Sequence, residues 1–510
     1  MQQTRSQHPV AGRAGWRSAM VRMREAVCLA QTLGMSTLRW AALASVLAAG
    51  AAVAEPFDLV IMGGRVMDPE SGLDAVRNVG IRAGRIEALS EAPLPGTVTV
   101  DAAGLVVAPG FINLHWHGTD PRSDTYQAAD GVTSTFELEI GVADVDLWYD
   151  ERAGRMPINY GVSIGHAPVR MAVMRDAGVF VPAGDAARRP AGPAELAEIE
   201  RRIEDGLARG AVGVGFGLAY TPAASRWEIL QVFRLAARHD ATGFVHIRGA
   251  SSAGSADREE GLLEVIAHSA VSGAPVHVAH INSSAQESVE RMLAIIEAAR
   301  QRGVDVTTEA YPYSAGMTRI ESFLFDSWTD KPEQEYRKLQ WVATGERLTR
   351  ESFLRYRQQG GYVLIHANTE ERVRTAITHP LTMIASDGFD VFPPSHPRSA
   401  GTYSRVLARY VRDGDALSLM EALRKMSLMP AQRLEPRVPA MRNKGRVRIG
   451  ADADLVVFDA QRIIDRANYE QPAQFSEGMR YVLVNGRIVV RDGSVVTGAA
   501  PGRPVRGPIE

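Results

Sequence analysis

The densest chemistry in this chain lies in FINLHWHGTD, residues 111–120. His115 and His117 stand one residue apart, directly after the apolar run GLVVAPGF. In a strand, residues i and i+2 point to one face, so the two imidazoles share a side and can bind one ion. Further acids and imidazoles close other apolar runs: Glu137 and Glu139 in STFELEI, His246 in GFVHIR, His280 in PVHVAHI and Asp387 in TMIASD. A His, Glu and Asp donor set suits zinc, and a catalytic zinc keeps one position open for water. Each signal has a plainer reading. An HxH pair often only satisfies its neighbours, His246 and His280 taken singly read as core histidines, Asp387 as a turn residue, and Glu137 and Glu139 as a solvated edge. The joint order carries the argument: HxH, then His, His and Asp, each ending an apolar run. A random scatter of the 12 histidines would seldom produce it.

The elements that must hold these groups follow from texture. Residues 57–108 are short β-rich runs with glycine turns, and the same texture returns in GADADLVVFDA and YVLVNGRIVVRDG. Segments 55–110 and 436–500 are therefore expected to form a small β-sandwich from both chain ends. Between them, apolar runs at 112–117, 134–140, 160–167, 211–217, 243–248, 275–281, 304–311 and 382–387 alternate with helical patterns such as PAELAEIERRIEDGLARG. Eight such strands over residues 111–435 predict an α/β fold of the (β/α)8 TIM-like barrel type, whose catalytic groups sit at the C-terminal strand ends. Residues 316–361 are longer and more charged than a βα loop requires and predict a lid or small inserted subdomain.

The chain has 510 residues, 45% of them hydrophobic, and a formal charge of −2. That is enough to bury a large core, and it gives no electrostatic case for nucleic acid or an anionic membrane. From Met35, Arg39 precedes an apolar run that ends in Ala52-Val53-Ala54. This reads as a secretory signal cleaved after Ala54, with residues 1–34 an upstream extension, and a secreted or periplasmic mature chain. The run is too short to span a bilayer; the other reading is a buried N-terminal helix. The single cysteine, Cys28, lies in the part removed. The mature chain then has no disulfide and no thiolate ligand.

Taken together the motifs resemble the amidohydrolase superfamily, and within it the N-acyl-D-amino-acid deacylase (D-aminoacylase) branch. The resemblance spans 57–495. APGFINLHWHG and GVTSTFELEIG resemble the first two barrel strands, while GHAPVR, GVGFGLAYTPA, VHIRG, VAHINSS, EAYPYSAG, MIASDGF and HPRSAGTYSRVL resemble successive segments of the branch. Three departures matter. The branch commonly uses a strand-two cysteine as a metal ligand, which this chain lacks. Other branches bridge two metals with a carboxylated lysine, but the first lysine here is Lys331. Glu139, or Glu137 beside it, falls within a residue of the cysteine's place and can act as a harder ligand. Finally, Asn282 stands where the branch has a lysine that helps hold a substrate carboxylate.

The resemblance implies a tighter metal site of Glu139, His246 and His280, and a second of His115, His117 and Asp387, for one or two zinc ions. It gives Asp387 the role of general base and acid, and points to Arg398, Tyr311, Tyr313 and Asn282 around a substrate carboxylate. His166, Arg170 and His366 are assigned structural roles. The expected activity is zinc-dependent hydrolysis of a small N-acyl amino acid or similar linear amide. The alternatives are a cyclic amidase, a dipeptidase, or a metal-binding protein without turnover.

Overall fold

A computed structural model describes residues 55–249, 255–393 and 395–510. The expected signal segment, residues 1–54, lies outside the described residues. The chain runs through β1 (Phe57–Asp68), β2 (Leu73–Arg82), β3 (Arg85–Ser90), β4 (Gly96–Asp101) and β5 (Val106–Pro109) before it enters the barrel. The barrel strands are β6 (Phe111–Asn113), β7 (Val132–Val142), β8 (Asn159–Gly165), β9 (Gly213–Gly217), β10 (Thr242–His246) and β11 (Val276–Val278). β12 (Val306–Ala310) follows, then a subdomain of β13 (Gly316–Arg319), β14 (Leu339–Trp341) and β15 (Tyr362–Ile365), then the last barrel strand β16 (Thr382–Ile384). The chain ends through β17 (Leu455–Phe458), β18 (Met479–Val484), β19 (Arg487–Arg491) and β20 (Ser494–Val495).

All eight expected barrel strands are present, in the order β16-β12-β11-β10-β9-β8-β7-β6. Every neighbouring pair is parallel. Their residues are mostly apolar and buried because both faces are covered; β8, NYGVSIG, is buried at every position. The seam between first and last strands is closed by a parallel bridge from Trp116 to Gly388, with the His117 N–H donating to the Gly388 carbonyl at 2.8 Å. Only glycine fits there, since a Cβ on residue 388 would come within 2.5 Å of the Trp116 ring. The outer helices pack through spaced apolar stripes, as Ile199, Ile203 and Leu207 do in Pro193–Ala208.

The two chain ends come together in one small β domain, as expected, and they are joined through their edges. Hydrogen bonding runs continuously through nine strands, β20-β19-β18-β17-β5-β1-β2-β3 with β4 on β1. The cause is β5, which pairs in parallel with β1 on one edge and antiparallel with β17 on the other. The two ends are thus joined edge to edge and enclose a core that includes Ile61, Ile81, Val107, Leu455 and Leu483. Lys444 anchors this sheet to the barrel. Its Nζ lies 2.6 Å from Asp454 Oδ2, which also accepts from Asn159 Nδ2 of β8 at 3.0 Å. The chain also continues usefully past residue 500. Val505 exchanges hydrogen bonds with Tyr160 and Tyr149 and packs with Phe136, Leu138 and Val212.

The insertion folds as a three-stranded antiparallel sheet, β13-β15-β14, with its own core of Tyr336, Trp341, Phe353 and Val363. Its bounds run to Ile365, four residues beyond the expected limit at 361.

Candidate active site

The groups singled out by type and order converge at the C-terminal mouth of the barrel. His115 and His117 follow β6, His246 ends β10, His280 follows β11 and Asp387 follows β16. Glu139 comes from β7. That strand holds a bulge, in which the pairing to β8 jumps from Glu137–Val162 to Val142–Ile164. Bulges re-aim side chains, and here the bulge carries both glutamates into the mouth. Gly141 makes it possible: its φ is +68°, and a Cβ there would meet Ser163 Oγ at 2.5 Å. Its N–H donates to Glu137 Oε1 at 3.1 Å.

Glu139 is the centre of the cluster. Its Oε1 lies 2.7 Å from His246 Nδ1 and 2.9 Å from His280 Nε2. Its Oε2 faces His115 Nε2 at 3.4 Å and His117 Nε2 at 3.6 Å. Asp387 Oδ1 completes the first pair's surroundings, 3.4 Å from His115 Nε2 and 3.5 Å from His117 Nε2. Three overlapping groups have ligand spacing among the described residues: His115, His117 and Glu139; Glu139, His246 and His280; and His115, His280 and Asp387. These residues fit a metal. His246 Nδ1 is buried and has no hydrogen-bond partner, although Glu139 Oε1 is so close. Donor atoms that crowd without the alignment of a hydrogen bond are aimed at a common third point, as ligands are. His280 at φ 31° and Asp387 at φ 50° both hold left-handed backbone, a strain that is kept at sites where geometry matters.

The outer nitrogens are fixed from behind. His117 Nδ1 is 2.6 Å from Glu137 Oε2, and His115 Nδ1 is 2.5 Å from Glu309 Oε1. Glu309 Oε2 lies 3.1 Å from His277 Nε2, and His277 Nδ1 lies 2.8 Å from Thr307 Oγ1. His280 Nδ1 meets Ser284 Oγ at 3.0 Å. Such partners set the tautomer and orientation of a ligating imidazole. Of the two candidate glutamates, Glu139 faces the cluster, while Glu137 stands behind His117 and belongs to none of the three groups. Glu309 and His277 escaped the sequence reading. Their only signal was a charged and an imidazole side chain inside the apolar strands VTTEA and VHV.

Electrostatics follow from burial and pairing. Burial alone would lower His117, but Glu137 and Asp387 outweigh it and hold the imidazole near 9. Burial would raise Glu309, but His115 and His277 hold it at about 2. Burial also works against ionised Glu139 and Asp387. His246 and His115 overcome it for Glu139, and Arg398 and His115 for Asp387, so both carboxyls stay well below the usual range. His246 is lowered, chiefly by burial. The assembly is a set of ionised acids holding imidazoles whose inner nitrogens meet.

A cavity of about 710 Å³, counted to its open mouth, reaches the cluster. Tyr311 and Tyr313 line it as expected, together with Tyr220, which the sequence did not single out. Two expected substrate contacts are placed elsewhere. Asn282 is fully buried and spends its amide on the Tyr311 backbone, donating at 3.1 Å and accepting at 3.3 Å. Arg398, also fully buried, does not line the cavity. Its Nη1 is 2.8 Å from Asp387 Oδ2, and its guanidinium lies 4.6 Å from the centre of the Tyr311 ring. His166 and Arg170 both bind Glu228 in the interior, and His366 meets Gln340 at 2.9 Å, away from the cluster.

The profile of the amidohydrolase family matches residues 98–490. The chain belongs to that family. As an amidohydrolase it is a metal-dependent hydrolase of amide carbon–nitrogen bonds. An N-acyl-D-glutamate deacylase of Alcaligenes xylosoxydans xylosoxydans is 32% identical over 475 residues, which cover 85% of this chain and 93% of that one. A D-aminoacylase of the same organism is 30% identical, covering 88% and 97%. Among solved structures, the N-acyl-D-glutamate deacylase from Bordetella bronchiseptica, complexed with zinc and a phosphonate mimic of the tetrahedral intermediate, matches with a TM-score of 0.75. It is 27% identical, over 89% of this chain and all of that one. A D-aminoacylase with a binuclear metal centre, described by one-metal activation and second-metal attenuation, matches at 0.74 with 27% identity, over 88% and 100%.

The geometry separates the two β7 glutamates in a measurable way. In this amidohydrolase Glu139→Ala is expected to abolish stoichiometric metal, whereas Glu137→Ala should weaken metal affinity by about 10- to 100-fold. Metal analysis of dialysed protein checks both, and equal losses would contradict the assignment.

Proposed function

We propose that the protein is a zinc-dependent deacylase of N-acyl-D-amino acids. The observation that carries this reading is the division of Glu139, one oxygen toward His246 and His280 and the other toward His115 and His117, with Asp387 beside the latter pair. The named relatives and the zinc-bound structure from Bordetella bronchiseptica support the substrate class.

Zinc suits the imidazole and carboxylate donors. When bound, it polarises the amide carbonyl and brings the pKa of its water from about 15.7 to about 7. The rest is done by the chain's own groups. Asp387 is kept ionised by Arg398 and His115. Its Oδ1 faces the cluster, where it accepts the proton of the attacking water and returns it to the leaving nitrogen. Arg398 forms an ion pair with Oδ2, on the side away from the cluster, and leaves Oδ1 to act. Burial keeps the Tyr220 phenol protonated beside His246, so it can donate to the carbonyl oxygen. The substrate carboxylate belongs on the polar wall of Ser283, Tyr311, Ser314 and Asn368. Arg398 supplies positive potential from behind the Tyr311 ring.

Asp387→Asn keeps the shape and removes the base. With zinc-loaded protein and a panel of N-acetyl-D- and N-acetyl-L-amino acids, kcat on the D series is expected to fall by about 10²- to 10⁴-fold. Undiminished turnover in the variant would contradict the mechanism, and hydrolysis of the L series alone would contradict the substrate class.

We also propose that the protein is exported, on the strength of the Arg39-to-Ala54 segment. No helix among the described residues is long and apolar enough to cross a membrane. N-terminal sequencing of extracellular or periplasmic protein should begin at Glu55; a chain retained in the cytosol with its N-terminus intact would refute this.

A further inference from the structure

The cavity has two unlike walls. Against His280 it is polar and uncharged, with Ser283, Gln286, Ser314 and Asn368. Against His117 it is apolar: the Phe180 and Phe389 rings lie 5.0 and 4.8 Å from that imidazole and 5.5 Å from each other. Met317 of β13 and Leu324 of the same subdomain extend this wall outward. No arginine or lysine lines the cavity among the described residues, and its only charged lining groups besides histidine are the acids Glu139 and Asp387. Arg398 forms an ion pair with Asp387 and is covered by Tyr311 and Phe389, so although its guanidinium nitrogens make no hydrogen bond it does not line the cavity. Asn282, next to Ser283 of the polar wall, is neutral, and its amide is used on the Tyr311 backbone.

We infer that the cavity selects N-acyl-D-amino acids with uncharged, apolar side chains and rejects acidic ones. The inference rests on the deacylase reading above and narrows it. It also runs against a transfer of specificity from the N-acyl-D-glutamate deacylase that is 32% identical. One carboxylate can use the polar wall and the field of Arg398. A second carboxylate would be desolvated against Phe180, Met317, Leu324 and Phe389 with no counter-ion on that wall. Burying a charge without a partner is strongly disfavoured. A leucine, methionine or phenylalanine side chain loses water favourably on the same wall.

The test uses zinc-loaded mature protein and kcat/KM for the N-acetyl derivatives of D-leucine, D-methionine, D-glutamine and D-glutamate. Glutamine and glutamate are nearly isosteric, so their ratio isolates charge from size. D-leucine and D-methionine are expected to exceed D-glutamate by on the order of 10²-fold, and D-glutamine to exceed it by at least about tenfold. Leu324 is half-buried at the outer wall, so Leu324→Arg should raise the glutamate-to-glutamine ratio by at least about tenfold. Hydrolysis of D-glutamate at or above the D-glutamine rate in the unaltered protein overturns the selectivity alone. Absence of turnover on every N-acetyl-D-amino acid by folded, metal-replete protein overturns the deacylase reading and the selectivity with it.

Discussion

Four imidazoles are brought inward at one end of the barrel with a single carboxylate between them, and the rest of the site is arranged to make that tolerable. Glu139 is almost fully buried, at 4% exposure. Such an anion is costly in a dry interior unless its partners offset the desolvation. Its two oxygens each face two ring nitrogens, so the charge is shared across both histidine pairs. The rings are in turn held by Glu137, Glu309, Ser284 and the buried His277. Without these rear contacts, crowded imidazoles would rotate apart to find separate partners. Ligand convergence is therefore a property of two layers, and the bulge in β7 that lifts Glu139 above Glu137 is what separates them.

The barrel and the additions to it divide the work. Strand ends supply the cluster, consistent with the position of active sites in such barrels. The subdomain inserted after β12 brings Met317 and Leu324 to the cavity, and the loop carrying Phe180 closes the other side of the same wall. The cluster and the apolar wall of the cavity thus come from different parts of the chain. A fold of this kind can keep its chemistry at the strand ends while inserted segments change what enters.

Much of this was legible in the residues. The eight barrel strands announce themselves by apolar runs, and the seven cluster candidates by their place at the ends of those runs. The β texture at both chain ends announces the small domain they form together, but texture reports strands and not their edges. Nothing in VVAP says that β5 will pair on both sides and fuse the two ends into one sheet. The choice between Glu137 and Glu139 was open for a similar reason, since alternation puts both on one face and the bulge that distinguishes them is a matter of backbone pairing. Arg398 and Asn282 were expected at the substrate because side-chain type suggests a carboxylate partner. The structure gives each a nearer internal one, Asp387 and the Tyr311 backbone. Glu309 and His277 were missed because single polar residues in apolar strands carry no period.

The claim on which the account turns is that a glutamate oxygen takes the place of a thiolate or a carboxylated lysine at the centre of the cluster. Anomalous diffraction at the zinc edge from crystals of the unaltered, zinc-loaded protein addresses it directly. The account predicts zinc density within about 2.2 Å of a Glu139 carboxylate oxygen, with His246 and His280 in the same coordination sphere. Zinc bound with Glu139 outside every coordination sphere would contradict it.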